Sequence, residues 1–192
     1  MDALEALGTR ASAVRLVEPA PSEALLTAAL RAAVRAPDHG MLRPWRFLLV
    51  RGAARDRLGE VLAESLARRE PGAAPETLEK EAKKPLRAPL IVVVVAKVQP
   101  DHPKIPEVEQ VVSAGSAAQN LMLAFHAEGF GCMWRTGSPA YDPAVKRAFG
   151  IEAHDHIIGL IYVGTPVALT LERNRPDHTQ FVEDWTEPAT AG

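Results

Sequence analysis

The sequence predicts an α+β or α/β fold with four or so strands, and three features carry that expectation. The run LIVVVVA at Leu90–Ala96 is β-branched almost throughout, so it is a central strand covered on both faces. The longest helix is expected from Glu107 to Glu128, and its stretch SAGSAAQNLMLAFHAEG is small and apolar nearly all round, which predicts that it is buried. Helical and strand periodicities then alternate along the rest of the chain.

Taken in order, Ala3 to Leu7 reads as a short helix. Ser22 caps a second one that runs through Arg35, because Leu25, Leu26, Ala29, Leu30, Ala33 and Val34 recur at helical spacing and Glu23 stands in the first turn. Pro37 stops it. Arg46 to Gly52 is a buried strand, and Ala53 to Arg69 a helix. The segment at about 70–86 is an excursion from one domain spanning 1–192, with ETLEKEAKK as an exposed helix and its charge run EKEAKK as a solvated face. Gly129 is expected just past the end of the long helix. FGCMWRTG follows as a strand, DPAVKRAFG as a short helix, and His156 to Pro166 as the last core strand.

Composition narrows the function classes. A formal net charge of −2 offers no electrostatic footprint for nucleic acid or an anionic membrane. The longest apolar run, Pro89 to Val98, is too short to span a bilayer. The N-terminus lacks the charged and apolar regions of a signal peptide, and the single cysteine, Cys132, suits a reducing, cytoplasmic setting. Cys132 lies in an apolar strand and reads as a packed thiol. Gly129 and Gly131 follow a helix, so they are no dinucleotide fingerprint. His154 and His156 lack a third ligand for a metal.

Two stretches carry more than structure. TRASAVR, Thr9 to Arg15, sets two arginines about a hydroxyl just after a helix; RAPDHGMLRPWRF, Arg35 to Phe47, crowds His39, Arg43, Trp45 and Arg46 after another. Together they supply guanidinium forks, hydroxyls and apolar faces to an acidic protein. That set suits a phosphate joined to a large planar ring.

At these residues the chain resembles the flavin-dependent nitroreductase family, most closely its short YdjA-like branch. MDALEAL-TRAS is similar to the family's opening helix and R-R-S phosphate motif, and RAPDHGMLRPWRF to its A-P-S-x-x-N-x-Q-P-W-x-F segment. AAQNLMLAFHAEGFGCMWRTG resembles the long core helix followed by the G-x-G-x-x-W strand, and GLIYVGTP the terminal strand.

The resemblance implies a central, mainly antiparallel sheet of 4–5 strands wrapped by helices, in a homodimer that holds FMN between its chains. It places Arg10, Ala11, Ser12, Arg35, His39, Trp134, Arg135 and Thr136 at the FMN. It places Ala124, Phe125, His126, Ala127, Glu128 and Gly129 where NADH or NADPH meets the protein. It also implies ping-pong electron transfer to nitroaromatic or quinone-like acceptors, with Arg10 or Arg35 stabilising charge near flavin N1 and no catalytic side chain required. Ala11, Val14 and Arg43 replace the family's second Arg, its basic residue and its Gln. Two other readings stay open: a flavin-dependent reductase or dehydrogenase of another small substrate, and a non-catalytic FMN-binding protein. The tail ERNRPDHTQFVEDW is expected to pack Phe181, Val182 and Trp185 on a partner chain, and Arg10 and Ser12 are expected to reach the flavin from the chain opposite the Trp134 strand.

Overall fold

A computed structural model of the chain describes residues 1–167 and 175–185. Five strands form one sheet: β1 (Leu16–Val17), β2 (Trp45–Arg51), β3 (Leu90–Ala96), β4 (Gly131–Arg135) and β5 (His156–Pro166). They run in the order β1-β5-β3-β2, with β4 also on β5, and every pairing is antiparallel. The helices are α1 (Ala3–Thr9), α2 (Glu23–Ala33), α3 (Ala54–Arg69), α4 (Pro75–Ala82), α5 (Glu107–Ala127), α6 (Ser138–Tyr141) and α7 (Pro143–Ala148).

The pleat of β3 explains the two cores. Ile91, Val93 and Val95 point to one face, where they meet Leu58 and Leu62 of α3 and Val145 of α7; Val92 and Val94 point to the other, against Leu26 of α2 and Leu121 and Phe125 of α5. All seven residues of β3 are buried, as expected for a strand covered on both sides. Alanines at the α2–α5 contact, among them Ala29, Ala33 and Ala118, are fully buried and let the two helices approach closely.

Local signals set the boundaries. Ser22 Oγ accepts from Leu25 N–H at 3.2 Å to cap α2. Gly129, at φ +83°, ends α5 with paired bonds from its own N–H to the His126 carbonyl and from Phe130 N–H to the Phe125 carbonyl. Two short elements escaped the sequence: β1, too brief to show a period, and α6.

One expectation is corrected in part. The excursion helix is exposed over Pro75–Thr77, Glu79 and Lys80 as expected, but its charge run is not solvated throughout: α4 packs on α3, and Glu81 is buried with only 7% of its surface exposed, paired with Lys84. Gly59 shows how close that packing is, since a Cβ there would stand 2.1 Å from the Ala82 carbonyl oxygen. Within α5 the stretch 113–127 is buried or half-buried throughout, while Val108 and Val112 on the turns before it are exposed.

Candidate active site

The site begins with a crossing of two segments. The chain leaving α1 runs beside β4: Ala13 N–H donates to the Cys132 carbonyl at 2.9 Å, and Ser12 and Cys132 form an isolated parallel bridge. Gly131 makes this possible, because a Cβ would lie 2.7 Å from Leu16 Cδ2 and 2.8 Å from Ala13 Cβ. Arg10, Ala11 and Ser12 therefore lie alongside the β4 of their own chain. Where Arg10 and Ser12 are expected to reach the flavin from the chain opposite the Trp134 strand, the two segments are in contact within one chain.

Beyond the crossing, β4 opens into a cleft of about 650 Å³, a size ordinary for a small-molecule site. Trp134, Arg135, Thr136 and Gly137 line one side with Val14 and Leu16; Leu62, Leu66 and Arg69 of α3 line another. Thr77 and Glu81 of α4, Lys84 and Arg87 of the turn after it, and Tyr162 of β5 complete the wall. Of the expected FMN residues, Trp134, Arg135 and Thr136 thus face the cleft, while Arg10, Ala11 and Ser12 lead into it through Val14.

Trp134 owes its orientation to a β-bulge. The β3–β5 register pairs Val94 with Gly159 and Val95 with Ile157, leaving Ile158 unpaired. The Ile158 carbonyl so released accepts the Trp134 indole N–H at 3.0 Å. Gly159 leaves the room for the ring, since a Cβ there would stand 2.2 Å from Nε1. The next residue, Arg135, turns its Nε to the Met133 sulfur at 2.9 Å.

Arg35 and His39 belong to a different surface and do not line the cleft. The loop that carries His39 is tightly fixed. Asp38 accepts from the N–H groups of Leu42 at 3.1 Å and Arg43 at 2.8 Å, and Gly40, Met41 and Arg43 all have positive φ. Two of these are not glycine, and such strain concentrates at functional sites. His39 Nδ1 lies 2.5 Å from Glu109 on α5, and Ser113 Oγ donates to the Pro37 carbonyl at 2.7 Å. Exposed Val34, Met41, Val108 and Val112 come from the same elements.

The segment expected to meet NAD(P)H splits by burial. Phe125 is fully buried in the core with Leu121 and Ile161, so its side chain is covered by the protein itself. His126 Nε2 lies 2.8 Å from Thr9 Oγ1, whose own proton goes to the Glu5 carbonyl at 2.6 Å, so the imidazole donates and ties α5 to α1. Burial lowers the His126 pKa and the Arg10 guanidinium lowers it further, against a weaker opposite pull from Glu5, so the surroundings favour the uncharged ring. Ala124 and Ala127 are half-buried, and Glu128 and Gly129 exposed.

Arg175 was missed by sequence reasoning. Its Nη2 donates to the Arg10 carbonyl at 2.7 Å, bringing a second guanidinium to the segment that holds Ser12 across a separation no local motif could reveal. The three tail residues before it, 172–174, lie outside the described residues, and Phe181, Val182 and Trp185 are exposed.

Cys132 is the packed thiol the sequence suggested. Burial pushes its pKa up to about 12, against a smaller lowering by Arg10. The folded protein is expected to resist thiol-alkylating reagents at pH 8 and to react once unfolded. Above about pH 9 the unfolded chain loses this proton while the folded chain keeps it, so the contribution to stability falls as pH rises through that window. A urea midpoint that is lower at pH 10 than at pH 8, with the difference reduced in Cys132→Ala, checks the sign. Among the described residues no group of three His, Cys, Asp or Glu could hold a metal ion, and no helix is long and apolar enough to cross a membrane.

Comparison with known proteins agrees with this architecture. Residues 15–165 match the model of the nitroreductase family. The chain is 43% identical over 183 residues to an Escherichia coli protein named "Putative NAD(P)H nitroreductase YdjA", covering 95% of this chain and 98% of that one. A nitroreductase-like protein from Bacillus cereus superposes with a TM-score of 0.84 at 23% identity over 97% of each chain. A Desulfovibrio desulfuricans protein solved in complex with FMN superposes at 0.71, with 23% identity, over 96% of this chain and 97% of that one. By sequence and by fold, the chain belongs to the nitroreductase family.

Proposed function

We propose that the protein is an FMN-dependent oxidoreductase that accepts hydride from NADH or NADPH and passes electrons, by a ping-pong mechanism, to a small flat electrophile such as a nitroarene or quinone. The observation that carries this reading is the crossing of Arg10–Ala13 with β4, which brings guanidinium and hydroxyl donors to the strand whose end lines the cleft. The donor set fits FMN. Arg10, Arg175 and Ser12 are the groups that would hold a phosphate, and the backbone and side chains of Trp134, Arg135 and Thr136 would border the ring.

Bound FMN supplies the redox chemistry, receiving hydride from the nicotinamide and delivering electrons to the acceptor. The chain's own residues bind and orient. The bulge-anchored indole fixes β4, and the Arg135 guanidinium that would border the ring would place positive charge where a reduced ring carries negative charge. Among the described residues Glu81–Lys84 is the one ion pair in the cleft, and solvent serves as the proton source. The functional unit in this reading is a cytoplasmic homodimer in which Arg35 and His39 of one subunit complete the site of the other. Their exclusion from the cleft of their own chain, the fixed strained loop and the neighbouring exposed Val108 and Val112 support that assignment.

Steady NAD(P)H consumption tests the reading: it is expected to require FMN and to continue with added quinone or nitroarene. FMN binding without turnover on either acceptor class would favour the non-catalytic flavin binder.

A further inference from the structure

We infer that the outer wall of the cleft is an anion subsite that selects flat acceptors bearing a carboxylate. The inference rests on the functional reading above and adds the substrate class. In a chain of net charge −2, the cleft is lined by four cations, Arg69, Lys84, Arg87 and Arg135, against two carboxylates, Glu70 and Glu81. Glu81 is already paired with Lys84. Among the described residues, Arg69, Arg87 and Arg135 have no carboxylate within 4.0 Å. Three guanidinium groups therefore face one cavity without an ion pair among the described residues, against the single remaining carboxylate of Glu70.

The remaining chemistry decides what the anion is attached to. Leu62, Leu66, Leu160 and the Tyr162 ring share the cleft with these cations, so a flat apolar body can lie beside the charge. Burial raises the Tyr162 pKa while Arg87 and Arg135 both pull it down, which puts both guanidiniums within electrostatic reach of the phenol. Arg10 and Arg175, the groups assigned to the FMN phosphate, do not line this cleft, so Arg69, Lys84 and Arg87 are a separate set, and Arg135 alone also borders the ring. Arginine forks match a planar carboxylate, and the tight seating of α4 on Gly59 holds this wall in place.

The test uses the FMN-loaded protein with 4-nitrobenzoate and its neutral analogue 4-nitrobenzamide. Binding is read from the perturbation of flavin absorbance, and turnover as kcat/KM. The anion is expected to bind about tenfold to a hundredfold more tightly than the amide at low salt. In Arg69→Gln/Arg87→Gln that gap should shrink to about threefold or less while FMN stoichiometry is retained. Equal affinity for the two compounds in the wild type, or a gap that survives the double substitution, overturns the inference. So does a wild-type preference for NADPH over NADH that disappears in the variant when no acceptor gap is seen, because the subsite then serves the nucleotide phosphate. If the chain takes up no FMN, the functional reading fails instead, and quenching of tryptophan fluorescence by the same two compounds decides the anion subsite in the same way.

Discussion

Gly159→Ala is expected to unseat Trp134 and to cost about 3 kcal/mol of stability through overpacking and a lost hydrogen bond. The added methyl group would stand 2.2 Å from the indole Nε1 and 2.7 Å from Cδ1, and a rigid ring cannot give way as the end of a flexible chain would. The ring must rotate out of the bulge, and the Ile158 carbonyl then loses its donor. The nearest outlet is the cleft, whose wall Trp134 already helps to form. The variant should therefore show a lower urea midpoint, a shifted tryptophan emission and weakened FMN binding together. Unchanged emission with an unchanged midpoint would mean that the bulge does not fix Trp134.

Mixing inactive variants should distinguish which segments share a chain. Arg10 and Trp134 lie along one chain, joined through Ala13 and Cys132, whereas Arg35 and His39 are proposed to serve the neighbouring subunit. A mixed dimer of Arg10→Ala with Arg35→Ala would then concentrate both substitutions in one site and leave the other intact. Equal mixing with random exchange predicts recovery of about a quarter of wild-type activity, as two-fold symmetry requires. Arg10→Ala mixed with Trp134→Ala should recover nothing, since each site then carries one substitution. Recovery in the second mixture but not the first would reverse the assignment. An active FMN-bound monomer in light scattering would remove the shared site altogether.

The fold was legible where the sequence was strongly biased. The β-branched run at Leu90–Ala96 could only be a central strand, Ser22 and Gly129 marked helix ends through local hydrogen bonds, and the antiparallel sheet followed from the family resemblance. The candidate site was legible in pieces. Trp134, Arg135 and Thr136, which the resemblance singles out, line the cleft, but nothing local shows that Arg69, Lys84, Arg87 and Tyr162 converge on it from α3, the turn after α4 and β5. The charged run at 79–84 looked like a solvated face because periodicity cannot show that Glu81 turns inward. Phe125 was carried into a binding segment by its neighbours, although its helical position points to the core. Arg175 meets Arg10 only through the return of the tail, a contact without a sequence signature.

The most direct test of a flavin site is the visible spectrum of the purified protein. After incubation with FMN and desalting, the protein should be yellow, release FMN and not FAD on denaturation, and bleach under anaerobic conditions when NADPH or NADH is added. Protein that stays colourless after incubation with excess FMN would contradict the account.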